Sequence, residues 1–274
     1  MNKILLDNEG QTCNVFWSYI RPLQLAILEG KRFIIPFYDK EIDSYNALRT
    51  CQYFRFPLYS SFLHSKLGSG LYTKILRRIV HNKLYNIIPV LKRRKHFVDG
   101  WALRHDIEDS CLDEVKELFR PNDNVIKDVQ SAFTERRKQN LLIIGIHIRR
   151  GDYKTWHNGD YYYEFKEYAN ICRRVLKQFN CDASFFIASN ESLNIGDFQN
   201  IPIFQVKGSV AHDLYALSCC DYIIGPPSSF SRWASFVGKV PIHFLLNKCE
   251  DELNFRVVKT YSKYENGEII EFDF

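Results

Sequence analysis

The chain has 274 residues, 46% of them apolar and 15% aromatic, with a formal net charge of +5. That length buries one large core or two modest ones, and the aromatic and branched content excludes a disordered chain. The mild positive balance does not by itself argue for nucleic acid; it suits an anionic ligand or an anionic surface.

No run approaches the roughly 18 to 20 apolar residues of a membrane span. The opening MNKILLDNEG has too short an apolar core, and too early an acid, to be a signal peptide. Eight cysteines are present, none in a CxxC pair, and they are expected to be reduced thiols in a cytoplasmic protein. Cys219 and Cys220 read as packing within a helix. No His or Cys pair has the spacing of zinc ligands, so no metal site is expected.

In chain order, residues 3–6 read as a first strand ending in a polar loop. Residues 14–29 read as a helix whose Phe16, Ile20, Leu23 and Ile27 share one face. Pro22 implies a kink or a later start there, and Gly30 marks the end. Residues 32–37 form a second strand, completing a β-loop-α-β unit. Beyond the first strand, Asn14 has two readings: a polar side chain reaching a ligand between lobes, or the N-cap of the helix.

Residues 40–100 interleave tyrosines and phenylalanines with basic residues. Within 71–91, Ile75, Ile79, Leu84 and Ile88 line one side of a prospective helix. The basic segment 74–96 suits contact with an anionic membrane surface, although a solvated basic face is the commoner explanation. Residues 112–119 and 125–138 are amphipathic helices separated by a turn at 120–123. The lobe boundary is placed near residue 140, where helices give way to strand–helix alternation.

Residues 141–148 form an apolar run of the kind buried on both faces of a sheet. It emerges into His147, Arg149, Arg150 and Asp152, at the end where open α/β sheets bind ligands. Adjacent residues of a strand point to opposite faces. One arginine is therefore expected to meet a ligand's paired oxygens while the other is held by the protein, Asp152 being a candidate partner. The competing reading is a structural ion pair at a strand end.

The second half alternates strands at 184–188, 201–206, 222–225 and 241–246 with helices at 161–179, 210–220 and 229–237. Such alternation argues for a parallel sheet. The tail from 257 alternates weakly and reads as a β-ribbon or as a segment packing back on the first lobe. Between them lies DYIIGPPSSFSRWAS (221–235). A buried strand ends at Gly225, two prolines stiffen the turn, and Ser228 and Ser229 open a helix whose first amides and dipole favour an anion. The alternative is plain N-capping. Asp213, upstream, either accepts two hydrogen bonds from guanine or caps its own helix.

HIRRGDY (147–153) and the segment from Asp213 to Phe230 resemble the GDP-fucose-dependent fucosyltransferase superfamily. They are closest to the α1,2-fucosyltransferases with their HxRRxDY motif, and similar to the protein O-fucosyltransferases in the Asp-to-Ser-Ser spacing. The resemblance is strong over 140–246. The GNQ triplet usual in the α1,2 enzymes is absent, and the FFxFSDD-like segment is represented only by FFIASNE (185–191).

The resemblance implies an α/β, GT-B-like fold: two Rossmann-like lobes with the nucleotide-sugar site in the inter-lobe cleft. Residues 1–140 would then form the acceptor-side lobe and 141–274 the donor lobe. By motif match, Arg149 falls on the diphosphate with Arg150 beside it, His147 near the nucleotide and Asp213 at the guanine. Ser228, Ser229 and Phe230 fall around phosphate and base, and Gly10 to Asn14 matches a Gly-x-x-x-Asn loop.

The expected activity is inverting transfer of L-fucose from GDP-β-L-fucose to a hydroxyl of a glycan acceptor, α1,2-linked and lipid-linked in one version. No Asp-x-Asp triplet occurs, so a metal-independent reaction without cofactor is the consistent choice. Arg149, Asp152 and Asn14 are the expected catalytic residues, with Asp7 and Glu9 as alternative bases. No nucleic-acid partner is expected, and the location is cytoplasmic or peripheral at the inner membrane face. Two other readings are a GT-B transferase using another nucleotide sugar, and a non-catalytic basic protein binding RNA or anionic glycans through 74–96.

Overall fold

A computed structural model describes residues 2–6, 11–35, 40–56, 97–139, 141–179, 182–248 and 252–269. The expected helix within 71–91, the basic segment 74–96, Gly10, Asp7 and Glu9 lie outside the described residues. By compactness the chain divides into Met1–Arg120 and Pro121–Phe274. No helix among the described residues is long and apolar enough to cross a membrane.

In the first unit, β1 (Asn2–Leu6) runs parallel to β2 (Arg32–Ile34), which pairs with β3 (Phe54–Arg55), while β1's other edge takes β4 (Phe97–Asp99). The strand order is β3-β2-β1-β4. Helix α1 (Thr12–Glu29) connects β1 to β2 and buries Phe16, Trp17, Tyr19, Ile20 and Leu23. It starts two residues before the expected Asn14 and runs through Pro22, so the proline does not delay its start. Its end at Gly30 is as expected, with φ 64°. A short helix α2 (Asn46–Thr50) precedes β3, and α3 (Leu112–Leu118) closes the unit.

In the second unit, β5 (Leu142–Ile148) is central to five parallel strands. With β6 (Ala183–Ser189), β7 (Ile203–Phe204), β8 (Tyr222–Gly225) and β9 (Ile242–Phe244), the order is β7-β6-β5-β8-β9. That is the doubly wound order, in which the first strand lies between the second and the fourth. The first unit repeats its first four positions.

Alternation along the strands sorts the core. Ile144, Ile146 and Ile148 of β5, with Phe185 and Ile187 of β6, pack against Tyr168, Cys172 and Val175 of α5 (Phe165–Phe179). The opposite face carries Phe186, whose ring lies 6.0 Å from that of Phe133 in α4 (Asp123–Lys138). Helices therefore cover both faces, which is why β5 reads as a continuous apolar run rather than an alternating one. Gly145 lets α6 (Val210–Ser218) come close, since a Cβ there would lie 2.7 Å from Leu217 Cδ2.

The boundary expected near 140 thus falls at 120, because Phe133 packs on the second sheet and carries α4 with it. The helix expected from 161 begins at Phe165, after two 3-10 turns. The described tail joins the second unit: Arg256 bridges Ile242 antiparallel, and Val258 N–H donates to Ser235 Oγ in α7 (Ser229–Gly238).

Candidate functional site

The topology directs attention to one place. Strand order reverses between β5 and β8, and in open α/β sheets ligands bind at such a point, beyond the carboxyl ends of the strands. The register pairs Ile146 with Ile224, so His147 and Gly225 come next, side by side. A Cβ at Gly225 would lie 2.9 Å from His147 Cβ and 3.0 Å from its carbonyl oxygen, so only glycine lets the two strand ends meet so closely.

His147 is 5% exposed, and Phe230 covers its ring at a centroid distance of 5.0 Å. Burial, reinforced by the charge of Arg149, pushes its pKa down to about 3, so the imidazole is neutral at physiological pH. Its Nδ1 has no hydrogen-bond partner among the described residues.

The two arginines differ sharply. Arg149 meets Asp152 as a fork, with Nε 2.9 Å from Oδ1 and Nη2 2.9 Å from Oδ2. Arg150 is taken up within the protein: Nη2 donates to Glu164 at 2.7 Å and to the Tyr162 hydroxyl at 2.5 Å, Nη1 lies 3.6 Å from Glu191, and the guanidinium sits 4.2 Å over Phe165. Asp152 therefore orients Arg149, not its neighbour. The chain passes from β5 into a 3-10 turn (Gly151–Lys154), which brings residues three apart onto one side. Asn190 and Glu191, at the end of β6, accept the backbone N–H groups of Arg150 and Gly151 at 3.1 and 3.0 Å.

Tyr153 joins this turn to the other segment. Its ring lies 5.8 Å from the Arg149 guanidinium, and its hydroxyl donates to the Pro227 carbonyl at 2.6 Å. Burial raises the phenol's pKa well beyond the ordinary tyrosine range, so it stays a donor. The arginine turn and the serine turn are thus tied together by one side chain. Ser228 is the N-cap of α7, its Oγ accepting Phe230 N–H at 3.2 Å, so the plain capping reading holds for it. Ser229 occupies the first turn of α7, half-buried.

Asp213 is not a cap. Ser209 caps α6, with Oγ 3.3 Å from Ala211 N, and His212 completes a reciprocal capping box. Asp213 lies one turn in, and burial alone raises its carboxyl pKa to about 7. Asn14 likewise is not the N-cap of its helix: Gln11 holds that position, and Asn14 sits half-buried in the first turn of α1.

The residues missed from sequence are those that hold others in place. Tyr162, Glu164, Asn190 and Glu191 carry no periodic signal, and only the closeness of β6 to β5 brings the last two to the arginine turn. Tyr153 stood inside the HxRRxDY motif without an assigned role.

Comparison with known proteins bears on this arrangement. The model of glycosyl transferase family 11 matches residues 93–263. No curated protein matches in sequence. Among solved structures, the chain is similar to NodZ α-1,6-fucosyltransferase soaked with GDP-fucose, at 14% identity over 92% of this chain and 97% of that one, TM-score 0.53. It is also similar to a FUT1 variant of Arabidopsis thaliana in complex with GDP, at 12% identity over 94% of this chain and 74% of that one, TM-score 0.57. A third, POFUT1 in complex with GDP-fucose, is 9% identical over 87% and 92% of the two chains, TM-score 0.51. At these identities the likeness is one of fold.

Proposed function

This chain belongs to glycosyl transferase family 11, and from that premise we propose that it moves L-fucose from GDP-β-L-fucose to a hydroxyl of a glycan acceptor, with inversion and without a metal. The observation that carries the reading is the tie between the two turns: Tyr153 reaches from beneath Arg149 to the Pro227 carbonyl. Two donor sets, a guanidinium and the start of a helix, thereby share one end of one sheet. The similar structures of NodZ soaked with GDP-fucose and FUT1 with GDP support the choice of donor.

Cleaving the sugar–phosphate bond leaves negative charge developing on GDP. Arg149, the Ser229 hydroxyl and the first amides of α7 would receive that charge as fixed donors, the effect that usually dominates such catalysis. Asp213, half-buried and without a cation set against it among the described residues, suits the ring N–H and amine of guanine, whose hydrogen bonds would compensate its desolvation. Neutral His147 and the Phe230 ring would flank the nucleotide. Arg150 would act as a post beneath the turn rather than on the phosphates.

Asp152 is engaged with Arg149, which makes orientation its first task. Any general-base role at Asp152 is secondary, since a departing oxocarbenium-like sugar needs little base assistance, and Asn14, whose amide cannot take a proton, would act by hydrogen bonding alone. An α1,2 linkage, a lipid-linked acceptor and a cytoplasmic setting with contact through 74–96 complete the proposal. They rest on the HxRRxDY motif, the unpaired cysteine spacing and the basic segment.

The test is hydrolysis across a panel of nucleotide sugars in the presence of a chelator, with GDP melting shifts alongside. GDP-fucose should be cleaved fastest, and GDP should stabilise the fold without added metal. Preference for another donor, or a strict need for a divalent cation, would overturn the reading.

A further inference from the structure

The donor reading leaves one group of side chains unused. Immediately after the arginine turn the sequence runs KTWHNGDYYY (154–163), and the structure folds its aromatics into a stack. Tyr153 and Trp156 lie 4.6 Å apart at 38°, Trp156 and His157 4.3 Å apart at 81°, and Trp156 and Tyr161 5.3 Å apart at 41°.

The backbone is forced to make this arrangement. His157 (φ 45°), Asn158 (φ 57°) and Gly159 (φ 83°) are consecutive left-handed residues. Non-glycine residues avoid that region, and persist in it where the surroundings over-determine it, commonly at ligand clamps. The stack is not core: Trp156 and Tyr161 are half-buried, and His157 is exposed.

Its position narrows what it can hold. The inner member, Tyr153, is the residue that lies under Arg149 and bonds the Pro227 carbonyl. The stack therefore begins where the proposed diphosphate seat ends. An acceptor hydroxyl must approach the sugar carbon bonded to that diphosphate, so the acceptor's own ring has to rest nearby.

We propose that Trp156, His157 and Tyr161 form the subsite for the terminal pyranose ring of the acceptor. This rests on the transferase reading above and names the face that takes its second substrate. A pyranose offers one face of C–H groups whose positive edge suits the negative face of an indole or phenol. The Tyr161 hydroxyl and the His157 imidazole supply hydrogen-bonding edges for the sugar's hydroxyls. Rings with two torsions each lose little freedom in making such contacts.

The test measures fucose transfer to a panel of methyl pyranosides: β-galactoside, β-glucoside, α-mannoside and β-N-acetylglucosaminide. At least one should saturate the wild-type protein. Trp156→Ala should raise the KM for that glycoside about tenfold, in the range of one aromatic contact, while the KM for GDP-fucose stays at its wild-type value. Trp156→Phe should recover most of the loss. His157→Ala, at an exposed position, should raise the glycoside KM by a smaller factor.

An unchanged glycoside KM in both alanine variants would overturn the subsite, as would a GDP-fucose KM that rises in step. So would a wild-type protein that hydrolyses GDP-fucose yet saturates with none of the four glycosides. A protein that neither hydrolyses GDP-fucose nor gains stability from GDP would overturn the donor reading itself, and the subsite with it.

Discussion

The two walls of the site hold their donors by opposite means. On the β5 side, Arg149 is 16% exposed and faces a carboxylate, Asp152, that is 58% exposed. On the β8 side, Ser228, Ser231, Arg232 and Ser235 are all buried, and the tail fixes α7 through Arg232 to the Tyr261 carbonyl and Val258 to Ser235. An ion pair whose carboxylate stands in solvent contributes little to folding, and the arginine can exchange that carboxylate for a ligand's oxygens at small cost. A buried capped turn is part of the fold. Substitutions on the first wall should therefore affect chemistry with little change in stability, and substitutions on the second should affect both.

The largest expected effect tests the first wall. Arg149→Lys keeps the charge but loses the planar fork, and should lower GDP-fucose turnover about 10²- to 10³-fold. The melting temperature should stay near wild type, because the carboxylate it parts from, Asp152, is itself in solvent. Near-native turnover, or an unfolded variant, would erase the contrast between the walls.

Next comes Asp213, beside the second wall. Its carboxyl pKa is raised to about 7 by burial, so the folded state holds its proton up to near neutrality while the unfolded chain releases it near pH 4. Stability should consequently fall as pH rises between those values, and Asp213→Asn should flatten that slope. GDP should bind the ionised form better, so its affinity should climb through pH 7 with release of a proton. In Asp213→Asn that climb should vanish, with affinity above pH 8 lower by about 1.5–3 kcal/mol, roughly 10- to 100-fold. Calorimetry in buffers of different ionisation enthalpy counts the proton directly.

Ser228→Ala sharpens the same comparison from the structural side. Losing the cap on Phe230 N–H should cost about 1 kcal/mol of stability, read by denaturant titration, together with a fall in turnover as α7's first amides loosen. A loss of turnover with unchanged stability would make the serine wall as independent of the fold as the arginine wall.

How much of this was legible beforehand follows from the range of the interactions involved. β5, β6 and β8 declare themselves as buried apolar runs, and β8's bounds at 222 and 225 coincide with expectation because prolines and a serine cap punctuate it. The convergence of the two motifs follows from a parallel sheet that the strand–helix alternation implies. What escaped depends on contacts distant in sequence. Phe133 assigns α4 to the second unit by touching Phe186 and Phe204, which no periodicity in 123–138 announces. Tyr161 and Tyr162 look helical, yet they lie outside α5, which begins at Phe165, and the Tyr162 hydroxyl serves Arg150. Which arginine Asp152 meets was not legible, because strand alternation stops at Ile148 and a 3-10 turn takes over.

The smallest effect is expected from that same carboxylate, and it separates two roles. If Asp152 orients Arg149, Asp152→Asn leaves the guanidinium in place with one weaker, neutral partner. An exposed pair contributes about 0–1 kcal/mol, so turnover should fall by less than about tenfold and both limbs of the pH–rate profile should keep their positions. If instead Asp152 takes the proton from the acceptor hydroxyl, its loss should cost about 10²- to 10⁴-fold and remove the acid limb of the profile. Measuring both donor hydrolysis and transfer distinguishes these further. Orientation of Arg149 acts on departure of GDP and lowers the two rates together, whereas a base for the acceptor lowers transfer alone.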